Sequence, residues 1–139
     1  MATSIKPKKR MGVATPPSFS FDSVALVKRL LAAAPERARE VLAHRFGLGT
    51  NPVRETLEAI GDRSSITRER VRQIEAVGLD AIRASKAFKE ANTAFTEIER
   101  YIHSLGAIVP EHTLLAALGK DEKSQNRFRF FLMLDSTFF

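Results

Sequence analysis

An all-α fold is predicted for this chain from three observations. Apolar residues recur three and four apart over most of its length, the spacing that lines one face of a helix. Proline and glycine fall mainly at the ends of those stretches, where they start and stop helices. The run 66–75, I-T-R-E-R-V-R-Q-I-E, sorts into two faces only when it is wound as a helix. Arg68, Glu69, Arg72, Gln73 and Ala76 then share one stripe, and Val71, Ile74, Gly78 and Ile82 line the opposite, apolar one.

Composition sets the frame. The chain has 139 residues, enough for one domain or two very small ones. Hydrophobic residues make up 44% and charged residues 27%, a soluble globular composition, and the net charge of +6 favours an anionic partner such as nucleic acid. No apolar run approaches the ~20 residues of a membrane span, and the basic N-terminus lacks the apolar segment of a secretory signal. Without cysteine there is neither a disulfide framework nor a thiolate metal site. A cytoplasmic protein with no membrane partner is expected.

Residues 1–20 are expected to be a disordered basic tail, with Lys6, Lys8, Lys9 and Arg10 followed by Gly12 and Pro16-Pro17. Two uses stand side by side: an arm that adds phosphate contacts, or a solubilising leader. A first unit spans 21–86. Its first helix begins after Ser20 or Asp22 and carries Val24, Val27, Leu30, Leu31 and Ala34 at helical spacing. Pro35 suits the first turn of a second helix, which buries Ala38, Val41, Leu42 and Phe46, and Gly47 suits its left-handed terminus. Asn51-Pro52 marks a loop. Thr56 to Gly61 forms a short helix, Asp62 to Ser65 a polar turn, and Thr67 the N-cap of a basic helix running to about Lys86. Gly78 inside that helix costs roughly 1 kcal/mol against alanine, and close approach of another helix would explain it.

Two short helices joined by a tight turn, the second basic, make the helix-turn-helix pattern. An arginine and glutamate stripe is usually a solvated, salt-bridged face. Here the preceding helix and turn favour base readout: Arg pairs with guanine, Gln with adenine, Glu with cytosine.

T-L-E-A-I-G followed by T-R-E-R-V-R-Q-I-E resembles region 4 of the sigma-70 family of bacterial sigma factors. The stretch from Pro35 to Gly49, with its F-G-L ending, is similar to the family's preceding helix, and the resemblance covers roughly residues 25–85. It implies a helix that reads a minus-35-like promoter element in the major groove of double-stranded DNA. Arg68, Glu69, Arg72 and Gln73 would contact bases, and Arg63, Thr67 and Arg70 would hold phosphates. The first helices would offer an apolar surface to the flap of bacterial RNA polymerase core, in a nucleoid-associated protein. The chain departs from the family at Ser65, where glycine is usual, and at Val77, Asp80 and Ala81, so weaker backbone affinity is expected. Nothing resembles the sigma region that melts promoter DNA, so a complete initiation factor is not expected.

A second, winged-helix-like unit is expected over 87–139. Ala91, Phe95, Ile98, Tyr101, Ile102 and Leu105 form a helical stripe ended by Gly106. Residues 107–110 are an extended link, Pro110 opens a helix with Leu114, Leu115 and Leu118, and Asp121 or Ser124 caps a last helix carrying Phe128, Phe131 and Leu132. F-L-M-L-D-S-T-F-F resembles the last helix and first wing strand of the winged-helix domain of the RNA polymerase delta subunit, a domain also found beside restriction enzymes. A plain three-helix packing module fits the same residues. The terminal Phe138-Phe139 suggests a truncated wing, or rings that insert into a core or partner. With Arg100, Lys120, Lys123, Arg127 and Arg129 set against Glu97, Glu99, Glu111, Asp121, Glu122 and Asp135, this unit is expected to bind protein rather than DNA.

Chemistry finds little support. His44, His103 and His112 are isolated, and no nucleophile with a base partner or glycine-rich phosphate loop is evident. No enzyme activity, cofactor, metal site or small-molecule substrate is expected. The alternatives to a promoter reader are a polymerase adaptor that binds mainly protein, and a DNA-reading accessory of a restriction or modification system.

Overall fold

A computed structural model describes residues 17–106 and 108–135. Among them are eight helices and no strand: α1 (Ser23–Ala32), α2 (Glu36–Phe46), α3 (Leu57–Ser64), α4 (Arg68–Arg83), α5 (Lys86–Glu90), α6 (Asn92–Leu105), α7 (Glu111–Leu118) and α8 (Glu122–Leu134).

Local chemistry explains the boundaries. The Asp22 carboxylate accepts from the amides of Val24 and Ala25 at 2.9 and 3.4 Å, so α1 starts at Ser23. Arg39 closes its other end, donating to the carbonyls of Leu31 at 3.1 Å and Ala34 at 3.0 Å. Pro35 is the N-cap of α2 rather than its first helical residue, and Gly47 ends it at φ 65°. The stripe expected on α1 is rotated: Leu26, Val27 and Leu30 are buried, whereas Val24 is exposed. The recognition-type helix stops at Arg83, three residues short of the expected end, because Ser85 caps the separate helix α5 through the Phe88 amide.

The buried side chains form one cluster running from Leu26 in α1 to Leu134 in α8, through both units expected from sequence. α8 lies against α1 and α2 as well as α7. Phe130 and Phe131 are fully buried, and Phe130 meets Phe46 of α2 at a centroid separation of 5.4 Å. This bears on the expected apolar surface of the first helices. Leu26, Leu30, Leu42 and Phe46 are buried in the cluster that α8 completes, whereas Val24 stays exposed. The physical cause is α8 itself, which brings Phe128, Phe130, Phe131, Leu132 and Leu134 to the cluster.

The tail boundary also moves. Phe19 stacks on Phe21 at 5.1 Å and meets Phe128 at 5.6 Å, and Ser20 hydrogen-bonds Glu97 through both its amide and its hydroxyl. The helix, link, helix, helix order expected after residue 87 is present as α6, residues 108–110, α7 and α8. The basic cluster Lys6 to Arg10, the wing and Phe138-Phe139 fall outside the described residues.

Long-range hydrogen bonds of Asn126 and Arg83 hold α8 in place. Asn126, fully buried, donates to the carbonyls of Gly47 at 3.1 Å and Pro52 at 2.8 Å. Its Oδ1 accepts from Arg129 at 2.9 Å. Arg83, in the last turn of α4, donates to the carbonyls of Leu134 at 3.0 Å and Met133 at 2.8 Å, closing the C-terminal end of α8.

Candidate nucleic-acid interface

The helix-turn-helix is built by three small devices. Thr56 caps α3, accepting from the Ala59 amide at 3.0 Å, and α3 runs through Asp62–Ser64, so the expected polar turn shrinks to Ser65–Thr67. Ser65 adopts the left-handed conformation at φ 59°, and the Ile66 amide bonds back to the Gly61 carbonyl at 3.0 Å. Gly61 permits this, since a Cβ there would lie 2.7 Å from the Ile66 carbonyl oxygen. Thr67 then caps α4 by accepting from the Arg70 amide at 3.0 Å. Ser65 is strained where glycine is not, so Ser65→Gly is expected to raise stability by about 0.5–1 kcal/mol, read as a higher urea midpoint. An unchanged or lowered midpoint would show that the serine side chain compensates locally.

α4 is held by its apolar face. Val71, Ile74, Gly78, Leu79 and Ile82 are buried, and α4 packs on α2 and α3. Gly78 marks the closest approach to α2: a Cβ there would lie 2.8 Å from Ala38 Cβ and 3.0 Å from a Leu42 methyl. The expected reason for this glycine is therefore the observed one.

The opposite face is the candidate interface. Arg68, Glu69, Arg72, Gln73 and Ala76 are all exposed on it, and Arg63, Thr67 and Arg70 are exposed around the turn and first turn of α4. These side chains already interact. Arg72 Nε donates to both oxygens of Glu69, at 3.1 and 3.2 Å. This hydrogen bonding holds the Glu69 carboxyl below the usual carboxylate range and raises the Arg72 pKa. Arg70 donates to the Gln73 side-chain oxygen at 3.3 Å. The Thr67 oxygen is occupied as a cap acceptor, which leaves its hydroxyl hydrogen to donate outward. Arg63 is paired with Glu55 in the loop before α3, and the same carboxylate reaches His44 Nδ1 at 3.3 Å.

Sequence reasoning did not find what fixes the back of this interface. Arg45 of α2 pairs with Glu75 of α4 at 3.1 Å and donates to the Glu55 carbonyl at 3.3 Å. Residues 30 positions apart leave no periodic signal. His44 is a surface partner of Glu55, and no group of three or more potential metal ligands occurs among the described residues. No helix of the described residues is long and apolar enough to cross a membrane.

Comparison with known proteins agrees with this geometry. Residues 30–84 match the family model "Sigma-70, region 4". The chain is similar to RNA polymerase sigma factor RpoS of Coxiella burnetii, 49% identical over 57 residues that cover 41% of this chain and 16% of the relative. It is 40% identical over 63 residues to RNA polymerase sigma factor RpoD of Helicobacter pylori, covering 45% of this chain and 9% of the relative. RpoD of Neisseria gonorrhoeae is 41% identical over 58 residues, covering 42% and 9%. The chain thus spans only a small part of the length of these relatives. No solved structure matches. Residues 30–84, which hold the end of α1 and all of α2, α3 and α4, are thus similar to sigma-70 region 4.

Proposed function

We propose that this protein reads double-stranded DNA by laying α4 in the major groove, at a minus-35-like promoter element. The observation that carries it is the two-faced α4: one side buried against α2 and α3, the other presenting Arg68, Glu69, Arg72 and Gln73 to solvent. The pairing of Arg72 with Glu69 limits the conformations of both side chains before DNA arrives, which lowers the entropy lost on binding. Arg63, Thr67 and Arg70 hold phosphates in this reading; Arg63 must first leave Glu55 or share it.

Four of the six net positive charges lie at Lys6, Lys8, Lys9 and Arg10, so the basic arm supplies much of the phosphate attraction. Affinity for a labelled duplex is expected to fall steeply between low and moderate salt, and removal of residues 1–16 to flatten that slope. Arg72→Ala is expected to weaken the preferred duplex about tenfold and to relax discrimination at one base pair. Arg63→Ala should weaken all duplexes about equally. Identical behaviour of the two variants on specific and random DNA would remove the base-reading assignment.

Association with bacterial RNA polymerase core is the second part of the proposal, supported by the resemblance to sigma region 4. Because α8 covers the apolar faces of α1 and α2, contact with the flap requires either exposed polar surface or displacement of α8. A pull-down with core polymerase, with and without promoter duplex, tests it. Capture that ignores the DNA and survives Arg72→Ala would favour the adaptor reading. The same resemblance supports a cytoplasmic, nucleoid-associated location as part of this proposal.

A further inference from the structure

A half-open cavity of about 500 Å³ lies between the helix-turn-helix and the C-terminal helices. Phe46 of α2, Leu79 of α4 and Leu132 of α8 form apolar wall. Three arginines reach it from separate places: Arg45 near the end of α2, Arg54 in the loop before α3, and Arg129 on α8. Two carboxylates line it as well. Glu75 is engaged by Arg45 at 3.1 Å. Glu111 stands 3.6 Å from Arg129 Nε, an ion-pair distance too long for a hydrogen bond. That Nε is shielded from solvent and has no hydrogen-bond partner, although Nη1 of the same guanidinium is fixed by Asn126 at 2.9 Å. Among the described residues no carboxylate forms an ion pair with Arg54, and its charge, after burial, helps lower the Arg129 pKa.

Two features point the same way. A buried donor without an acceptor is costly and is satisfied by whatever acceptor the site admits. Three cations against two carboxylates leave room for one negative charge. Cavities of roughly 300–1,000 Å³ with apolar walls and a few convergent polar groups are the usual form of small-molecule sites.

We propose that this cavity binds a small organic acid carrying a single carboxylate on an apolar body. The carboxylate accepts from Arg129 Nε and pairs with Arg54, and the body lies against Phe46, Leu79 and Leu132. A phosphate dianion would overcompensate the charge, and a purely apolar ligand would leave Arg129 Nε without an acceptor.

The test titrates the full chain with decanoate and, in parallel, with decanol, following amide shifts by NMR. Decanoate is expected to shift the amides around Leu79 and Leu132 and to bind at least about tenfold more tightly than decanol. Arg54→Gln, a change at an exposed loop position, is expected to weaken decanoate about tenfold while leaving decanol nearly unchanged. Arg129→Gln should lose more, with its fold confirmed by circular dichroism; if it fails to fold, Arg54→Gln alone decides. Equal affinity for acid and alcohol, unaltered decanoate binding by Arg54→Gln, or no binding at millimolar decanoate would overturn the proposal. So would tighter binding of a short leucine-rich peptide bearing one glutamate, which would mark the cavity as a protein-docking site instead.

Discussion

Phe131→Ala is expected to destabilise the protein by about 3–5 kcal/mol, a large part of the roughly 5–15 kcal/mol that a domain of this size has in total. Phe131 is fully buried and joins the segment before α1, α6 and α8. Its ring meets Phe21, ahead of α1, at 6.3 Å, Phe95 of α6 at 6.1 Å, and Phe128 and Phe130 of its own helix at 5.6 and 6.4 Å. Three of these are edge-to-face pairs, which add to the energy of area burial. Truncation leaves a cavity that rigid neighbours from three elements cannot fill. The check is urea denaturation followed by circular dichroism, beside a duplex-binding assay. DNA affinity should fall with the folded fraction, although Phe131 is nowhere on the α4 stripe. A loss below about 1 kcal/mol would mean that the aromatic cluster repacks freely.

The second large effect is polar. Asn126→Leu preserves approximate volume but removes the donor shared by the Gly47 and Pro52 carbonyls, and the acceptor used by Arg129. The buried Gly47 carbonyl left unpaired costs about 1–3 kcal/mol and the two part-buried groups cost less, so a total loss of about 2–4 kcal/mol is expected. The loop after α2 should loosen most, since the Gly47 and Pro52 bonds tie it to α8. Hydrogen exchange over residues 47–56 would show this as faster exchange than in the wild type. Uniform exchange across the chain at unchanged stability would count against Asn126 as the tie.

What the sequence made legible follows from the range of the physics involved. Helix periodicity, caps and Gly78 are local or face-specific signals, and they placed α2, α3 and α4 together with the polar stripe of Arg68, Glu69, Arg72 and Gln73. The phase of α1 was harder. Val24 and Leu26 both fit an apolar stripe, and the buried one is decided by where α8 lies. Phe19 looked like part of a polar tail because its neighbours include Pro16, Pro17, Ser18 and Ser20. Its partners, Tyr101 and Phe128, lie far along the chain. Arg83 on the end of α8, Arg45 on Glu75, and Asn126 on the loop after α2 are likewise contacts between distant positions. Periodicity within one element carries no information about them.

The position of α8 has a consequence for the order of events in the cell. A ribosome makes α4 well before it makes the helix that seals the core beneath it. At about 5–20 residues per second, the stretch from Phe46 to Leu134 takes on the order of 5–20 s to emerge. Throughout that interval Leu26, Leu30 and Phe46 lack the covering residues Phe130 and Phe131. The core beneath α4 is therefore completed late in synthesis, when residues 122–134 fold back onto α1 and α2.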